Sequence, residues 1–123
     1  MLKIAVVEDQ TEVRESLCQF IRQYAGEQGL QAEVKPFADG AVIAEGYQPG
    51  YDIIFLDVEM PQLGGFGAAE RIRAVDPDVV LVFVTNMAQY AIKGYAVGAL
   101  DYVLKPVPYF AFSEQLKKAE KNL

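Results

Sequence analysis

Histidine is absent from the 123 residues. Without an imidazole there is no Ser/His/Asp or Cys/His catalysis, no His-ligated zinc site and no histidine phosphocarrier. The single cysteine, Cys18, has no internal disulfide partner, and no basic and apolar leader precedes the first apolar run, Leu2 to Val7. A reducing, cytoplasmic setting is therefore expected, with Cys18 a small core residue rather than a reactive thiol. The longest apolar run, Val79 to Val84, falls far short of the roughly 18 to 20 residues a membrane helix needs, so no membrane association is expected. Positive charge is also scarce. Eleven Lys and Arg stand against 17 Asp and Glu, a net charge of -6, and direct contact with nucleic acid by this segment is not expected.

Hydrophobic residues make up 52% and charged residues 23%, which suits one compact domain over residues 1–123 with a real apolar core. Short apolar runs alternate with amphipathic stretches. Leu2 to Val7, Glu33 to Phe37, Ile53 to Leu56, Val79 to Val84 and Tyr102 to Leu104 read as strands. The first, third and fourth are almost wholly apolar, as inner strands of a parallel sheet should be, whereas the second carries charges and Pro36, which suits an edge. Helical spacing links Val13, Leu17, Phe20, Ile21 and Tyr24, then Phe66, Ala69, Ile72 and Val75, then Ala88, Ala91, Ile92 and Tyr95. Asp39-Gly40 opens a short helix ending near Gly46, and a last helix from Phe110 turns Phe112, Leu116 and Ala119 inward. The pattern is (βα)5. It predicts an α/β fold, a flavodoxin-like doubly wound parallel sheet with strand order 2-1-3-4-5, and a ligand site beyond the carboxyl ends of strands one and three.

That placement puts Glu8 and Asp9 at the end of strand one, Asp57 at the end of strand three, Thr85 at the end of strand four and Lys105 at the end of strand five. Taken singly, the acids and Thr85 would serve equally as helix caps and Lys105 as a solvated loop lysine. Taken together they converge on one edge. Three neighbouring carboxylates repel one another unless a cation neutralises them, and oxygen ligands without His or Cys favour Mg2+. A carboxylate is also a competent nucleophile toward phosphorus, with Mg2+ and an ammonium offsetting charge on the transferred group. Asp57 and Lys105 suit those parts, and the Lys105-Pro106 bond can turn sharply through a cis peptide to aim the ammonium inward.

Four segments, Val6-Val7-Glu8-Asp9, Ile53 to Pro61, Val84-Thr85 and Tyr102-Val103-Leu104-Lys105-Pro106, resemble the signature set of response-regulator receiver domains of two-component systems. Gln89-Tyr90-Ala91 and Gly98 to Val107 further resemble the LytTR branch. The resemblance spans essentially the whole chain. It implies that Glu8, Asp9 and Asp57 hold Mg2+ with the main-chain carbonyl of Glu59, and that Asp57 accepts a phosphoryl group from a sensor histidine kinase. It also implies that Thr85 bonds a phosphoryl oxygen, that Lys105 pairs with it, and that Tyr102 is the aromatic that moves as Thr85 shifts. The resulting change would bias the face made by helix four, strand five and helix five, where Tyr90, Lys93, Tyr95 and Tyr109 are candidates for homodimer or partner contacts.

Two positions depart from that pattern. Gln62-Leu63-Gly64-Gly65 lacks an Asp or Asn before the second glycine, leaving Gly64 as the N-cap, and Asn86 follows Thr85 where a small residue is usual. LytTR-type regulators continue into a basic DNA-binding domain, so the chain is either a receiver detached from a longer transcription regulator, the favoured expectation, or a stand-alone receiver. Two other readings compete. One is a receiver-like docking module without phosphorylation; the other is a small phosphohydrolase with an aspartyl intermediate, against which stands Glu59 where such enzymes place a second Asp.

Overall fold

A computed structural model describes all 123 residues. Five strands, β1 (Leu2–Val7), β2 (Ala32–Phe37), β3 (Ile53–Leu56), β4 (Val80–Thr85) and β5 (Asp101–Leu104), form one parallel sheet in the order 2-1-3-4-5. Helices fill each crossover: α1 (Thr11–Gln28), α2 (Gly40–Ala44), α3 (Gly65–Val75), α4 (Ala91–Ala96, after a 3-10 turn at Ala88–Tyr90) and α5 (Tyr109–Lys121). No helix is long and apolar enough to cross a membrane.

The period-2 geometry of a strand divides each apolar run between two cores. From β1, Ile4 and Val6 join Phe55, Val82 and Val84 under α1 and α5, where they meet Leu17, Ile21, Phe112 and Leu116. Ala5 and Val7 face the other way, with Ile54, Leu56, Leu81 and Phe83, and pack on Ile43, Ala69, Ile72 and Val97. Burial on both faces explains why β1, β3 and β4 are almost uninterruptedly apolar. At the edge, β2 alternates half-buried and exposed residues and places Pro36 where no further strand needs its missing N–H. Cys18 is buried in the α1 core, and burial pushes its thiol pKa up.

The apolar spacing of Ala88, Ala91, Ile92 and Tyr95 does not mark the buried face of α4, and Tyr95 is exposed as its place among the surface candidates requires. Ala88, Ile92 and Tyr95 are exposed, and the inward set is Tyr90, Gly94 and Val97. Val75 is also exposed, at the end of α3. Helical spacing alone does not choose between two neighbouring stripes. In the folded chain Gly94 faces the rings of Phe83 and Tyr102.

Candidate functional site

Three carboxylates arrive at one edge of the sheet because their strands end there in parallel. Glu8 and Asp9 follow β1 and Asp57 follows β3, and the register that pairs Val7 with Leu56 puts the next residues side by side. One oxygen from each of Glu8, Asp9 and Asp57 lies within 4.8 Å of the others. Asp9 is exposed, while Glu8 is 1% and Asp57 8% exposed.

Lys105 supplies the one ammonium among them. It follows β5, and its bond to Pro106 is cis. Its Nζ donates to Glu8 Oε1 and, at 2.9 Å, to Asp57 Oδ2. The second Glu8 oxygen accepts the Gln10 N–H at 3.0 Å. Burial raises the Glu8 pKa, with the Lys105 bond and the Gln10 N–H opposing it. Burial alone would lower the Lys105 pKa, yet hydrogen bonds and attraction from Glu8 and Asp57 raise it. Glu8 thus lies buried beside the pocket with both oxygens engaged, one by Lys105 and one by the Gln10 N–H.

Asp57 Oδ1 accepts the N–H of Val58 at 2.6 Å, and Asp57 lines the pocket. The loop after it turns back on itself: the Gly65 N–H bonds the Val58 carbonyl at 2.9 Å. A Cβ on Gly65 would lie 2.0 Å from the Asp57 carbonyl oxygen, so this close approach tolerates only glycine. Gly64 is the N-cap of α3, as expected. Glu59 has an exposed side chain and lines the pocket.

The pocket is an open cavity of about 480 Å3 lined by Asp9, Asp57 and the residues after it, Thr85 to Met87, and Lys105. Thr85 is fully buried as a residue. Its Oγ1 accepts the Met87 N–H at 3.3 Å, which leaves the hydroxyl proton to be donated elsewhere. Asn86 is exposed beside it on the pocket wall. Tyr102 lies behind, its ring 5.8 Å from Phe83 and stacked at 6.5 Å on Phe66. Its hydroxyl donates to the Met87 carbonyl. Met87, unremarkable in sequence, therefore connects Thr85 to Tyr102 through its two backbone groups, and no side-chain pattern signals such a link.

Two further residues escaped sequence reasoning. Arg14 donates to the carbonyls of Glu8 (2.7 Å) and Asp9 (3.4 Å), tying the β1–α1 turn to α1. Asp39 caps α2 as expected, but its carboxylate also accepts the N–H groups of Gln62 and Leu63. Burial would raise its pKa; the three backbone N–H bonds overcome that and lower it.

The donor set fits a hard divalent cation: three clustered carboxylates face a single ammonium, and every ligand atom is oxygen. A model of the response regulator receiver domain matches residues 4–117. The sensory transduction protein LytT of Bacillus cereus is 33% identical over 124 residues, covering 99% of this chain and 48% of that protein. The response regulatory domain of protein mrkE from Klebsiella pneumoniae superposes with a TM-score of 0.85 at 28% identity, covering 98% and 96% of the two chains. The response regulator TrrA of Thermotoga maritima in complex with Mg(2+)-BeF superposes at 0.79 with 28% identity over the whole of both chains. The chain spans about half the length of the curated relatives it matches. With this fold and this strand-end cluster, the chain belongs to the receiver domain family, the regulatory domains of two-component response regulators, with LytT proteins among its relatives.

Proposed function

We propose that this domain is a phosphorylation-controlled switch in which Asp57 accepts a phosphoryl group from the phosphohistidine of a sensor histidine kinase. The observation that carries this reading is the convergence of Asp9, Asp57, Thr85 and Lys105 on one open pocket from four separate strand ends, with Glu8 buried beside them against Lys105. Glu8, Asp9, Asp57 and the main-chain carbonyl of Glu59 would hold Mg2+, with Glu8 also serving as counter-charge to Lys105. Mg2+ would supply neutralisation of the carboxylates and of the charge on the transferring oxygens. The TrrA structure, described as a complex with Mg(2+)-BeF, supports that cation here.

A carboxylate oxygen of Asp57 attacks phosphorus and forms the O–P bond as the P–N bond to the donor imidazole breaks, its electron pair leaving with the ring nitrogen. Lys105 shifts its ammonium from Glu8 toward the new phosphoryl oxygens, and Thr85 donates its hydroxyl proton to one of them. Attack of water on the acyl phosphate returns the carboxylate. The protein thus promotes its own phosphorylation and dephosphorylation while its task is signalling.

Movement of Thr85 releases or tightens the bonds at Met87 and so reaches Tyr102. The face beyond it presents Ile92, Tyr95, Leu104 and Phe110 to solvent, a surface suited to a homodimer or an output partner. Residues 1–123 would be the receiver of a longer cytoplasmic regulator acting on transcription through a DNA-binding domain, a reading supported by relatives of twice this length and by the LytTR likeness.

The test is intact mass after incubation with Mg2+ and acetyl phosphate. A gain of one phosphoryl group that requires Mg2+ and vanishes in Asp57→Ala is expected. No gain with any donor, together with no Mg2+ binding, would overturn the switch and leave a docking module.

A further inference from the structure

The loop from Val58 to Gly64 includes Glu59, which lines the pocket with Asp57, and its far end is held from another part of the chain. Asp39 sits between β2 and α2, 7% exposed. Its Oδ1 accepts the Ala41 N–H at 2.9 Å, which is an ordinary N-cap bond. The same carboxylate reaches 24 residues along the chain to accept the Leu63 N–H at 2.9 Å, and its Oδ2 accepts the Gln62 N–H at 3.0 Å. Capping a five-residue helix needs one such bond, and the other two are spent on the loop.

Backbone contact reinforces the pairing. A Cβ on Gly40 would lie 2.3 Å from the Leu63 carbonyl oxygen, so α2 and the loop meet main chain to main chain. The near end of the loop is pinned by the Gly65 to Val58 bond. Residues 59 to 61 lie between these two anchors.

We propose that Asp39 is a positioning residue for the metal-binding loop: its carboxylate sets where residues 58 to 63 lie and hence where the Glu59 carbonyl is presented to Mg2+ beside Asp57. The inference rests on the phosphoacceptor reading. A short neutral side chain cannot replace this carboxylate. Asn at 39 keeps an oxygen for Ala41 and Leu63 but offers an amide N–H to the Gln62 N–H; Ser keeps the cap but is too short to reach the loop; Ala removes all three bonds.

The experiment uses the 123-residue chain, titrated calorimetrically with MgCl2 alone and labelled with acetyl phosphate across a Mg2+ series, with circular dichroism giving the folded fraction. Asp39→Ala and Asp39→Ser should raise the Mg2+ Kd about tenfold, and Asp39→Asn about threefold. Labelling at saturating Mg2+ should return close to the wild-type rate in all three, since Asp57, Thr85 and Lys105 are untouched. Variants that lose stability yet bind Mg2+ as wild type does in their folded fraction overturn the proposal, because a purely structural cap predicts that result. If Asp39→Ala does not fold, Asp39→Ser and Asp39→Asn decide. A wild-type chain that binds no Mg2+ and takes no phosphoryl group removes the functional reading and this inference with it. A competent wild type with unchanged variants removes the inference alone.

Discussion

Replacing Lys105 by Met keeps the length and apolar stem of the side chain and deletes its ammonium. Glu8 Oε1 and Asp57 Oδ2 then lose their donor, and two poorly solvated carboxylates face each other without a cation. Breaking a buried pair by removing one partner costs about 3 to 5 kcal/mol. The Lys105 and Asp57 side chains each retain 10% exposure, so the lower end, about 3 kcal/mol, applies near neutral pH. For a domain of this size that lowers Tm by roughly 10 °C.

The loss must depend on pH. The Glu8 carboxyl already titrates above its ordinary value near 4.5, chiefly through burial, and removing Lys105 takes away the main influence holding it down. A carboxyl whose folded pKa lies above its unfolded one destabilises the fold at pH above the folded value, and the penalty disappears below the unfolded value. Urea unfolding of Lys105→Met followed by far-UV circular dichroism should therefore show the full deficit around pH 8 and a smaller one around pH 5. Millimolar Mg2+ should restore more stability to the variant than to the wild type, because the deletion makes the pocket more negative. A deficit below about 1 kcal/mol that is the same at both pH values would show that solvent screens the three charges, and would refute the buried-triad argument.

Gly65→Ala should cost about 3 kcal/mol and slow phosphorylation, since its methyl would overlap the Asp57 carbonyl oxygen at 2.0 Å; denaturant midpoints and acetyl phosphate labelling check both. Phe112→Ala removes a fully buried ring that packs 4.7 Å from Phe55 and should cost about 4 kcal/mol by urea unfolding, without changing Mg2+ affinity in the folded protein. Tyr102→Phe loses only the bond to the Met87 carbonyl; it should cost about 1 kcal/mol and give narrower exchange broadening at Met87 and Thr85 by NMR if that bond couples them. Asp39, whose carboxyl titrates below its usual value, contributes stability present above the unfolded pKa and lost as pH falls through the folded one. Asp39→Asn should therefore flatten the acid limb of the stability profile, seen as a smaller difference between midpoints at pH near 5 and near 3.

Sequence alone determined the larger frame. Burial on both faces in β1, β3 and β4 requires apolar side chains at nearly every position, which is visible without coordinates. The same is true of the charged, Pro-containing edge strand β2 and of the acid, threonine and lysine at the strand ends. Once the strands are parallel and ordered, those ends share an edge, so Glu8, Asp9, Asp57, Thr85 and Lys105 were legible as a set. Tertiary structure decided what pattern cannot encode. It turned Tyr90, Gly94 and Val97, in and flanking α4, toward the core, a choice that spacing alone leaves open because two adjacent stripes have the same period. It paired Glu8 with Lys105, and it gave Met87, Arg14 and Asp39 their links to the pocket. Those links run through backbone carbonyls and N–H groups, which every residue possesses, so no side-chain code announces them before the chain has folded.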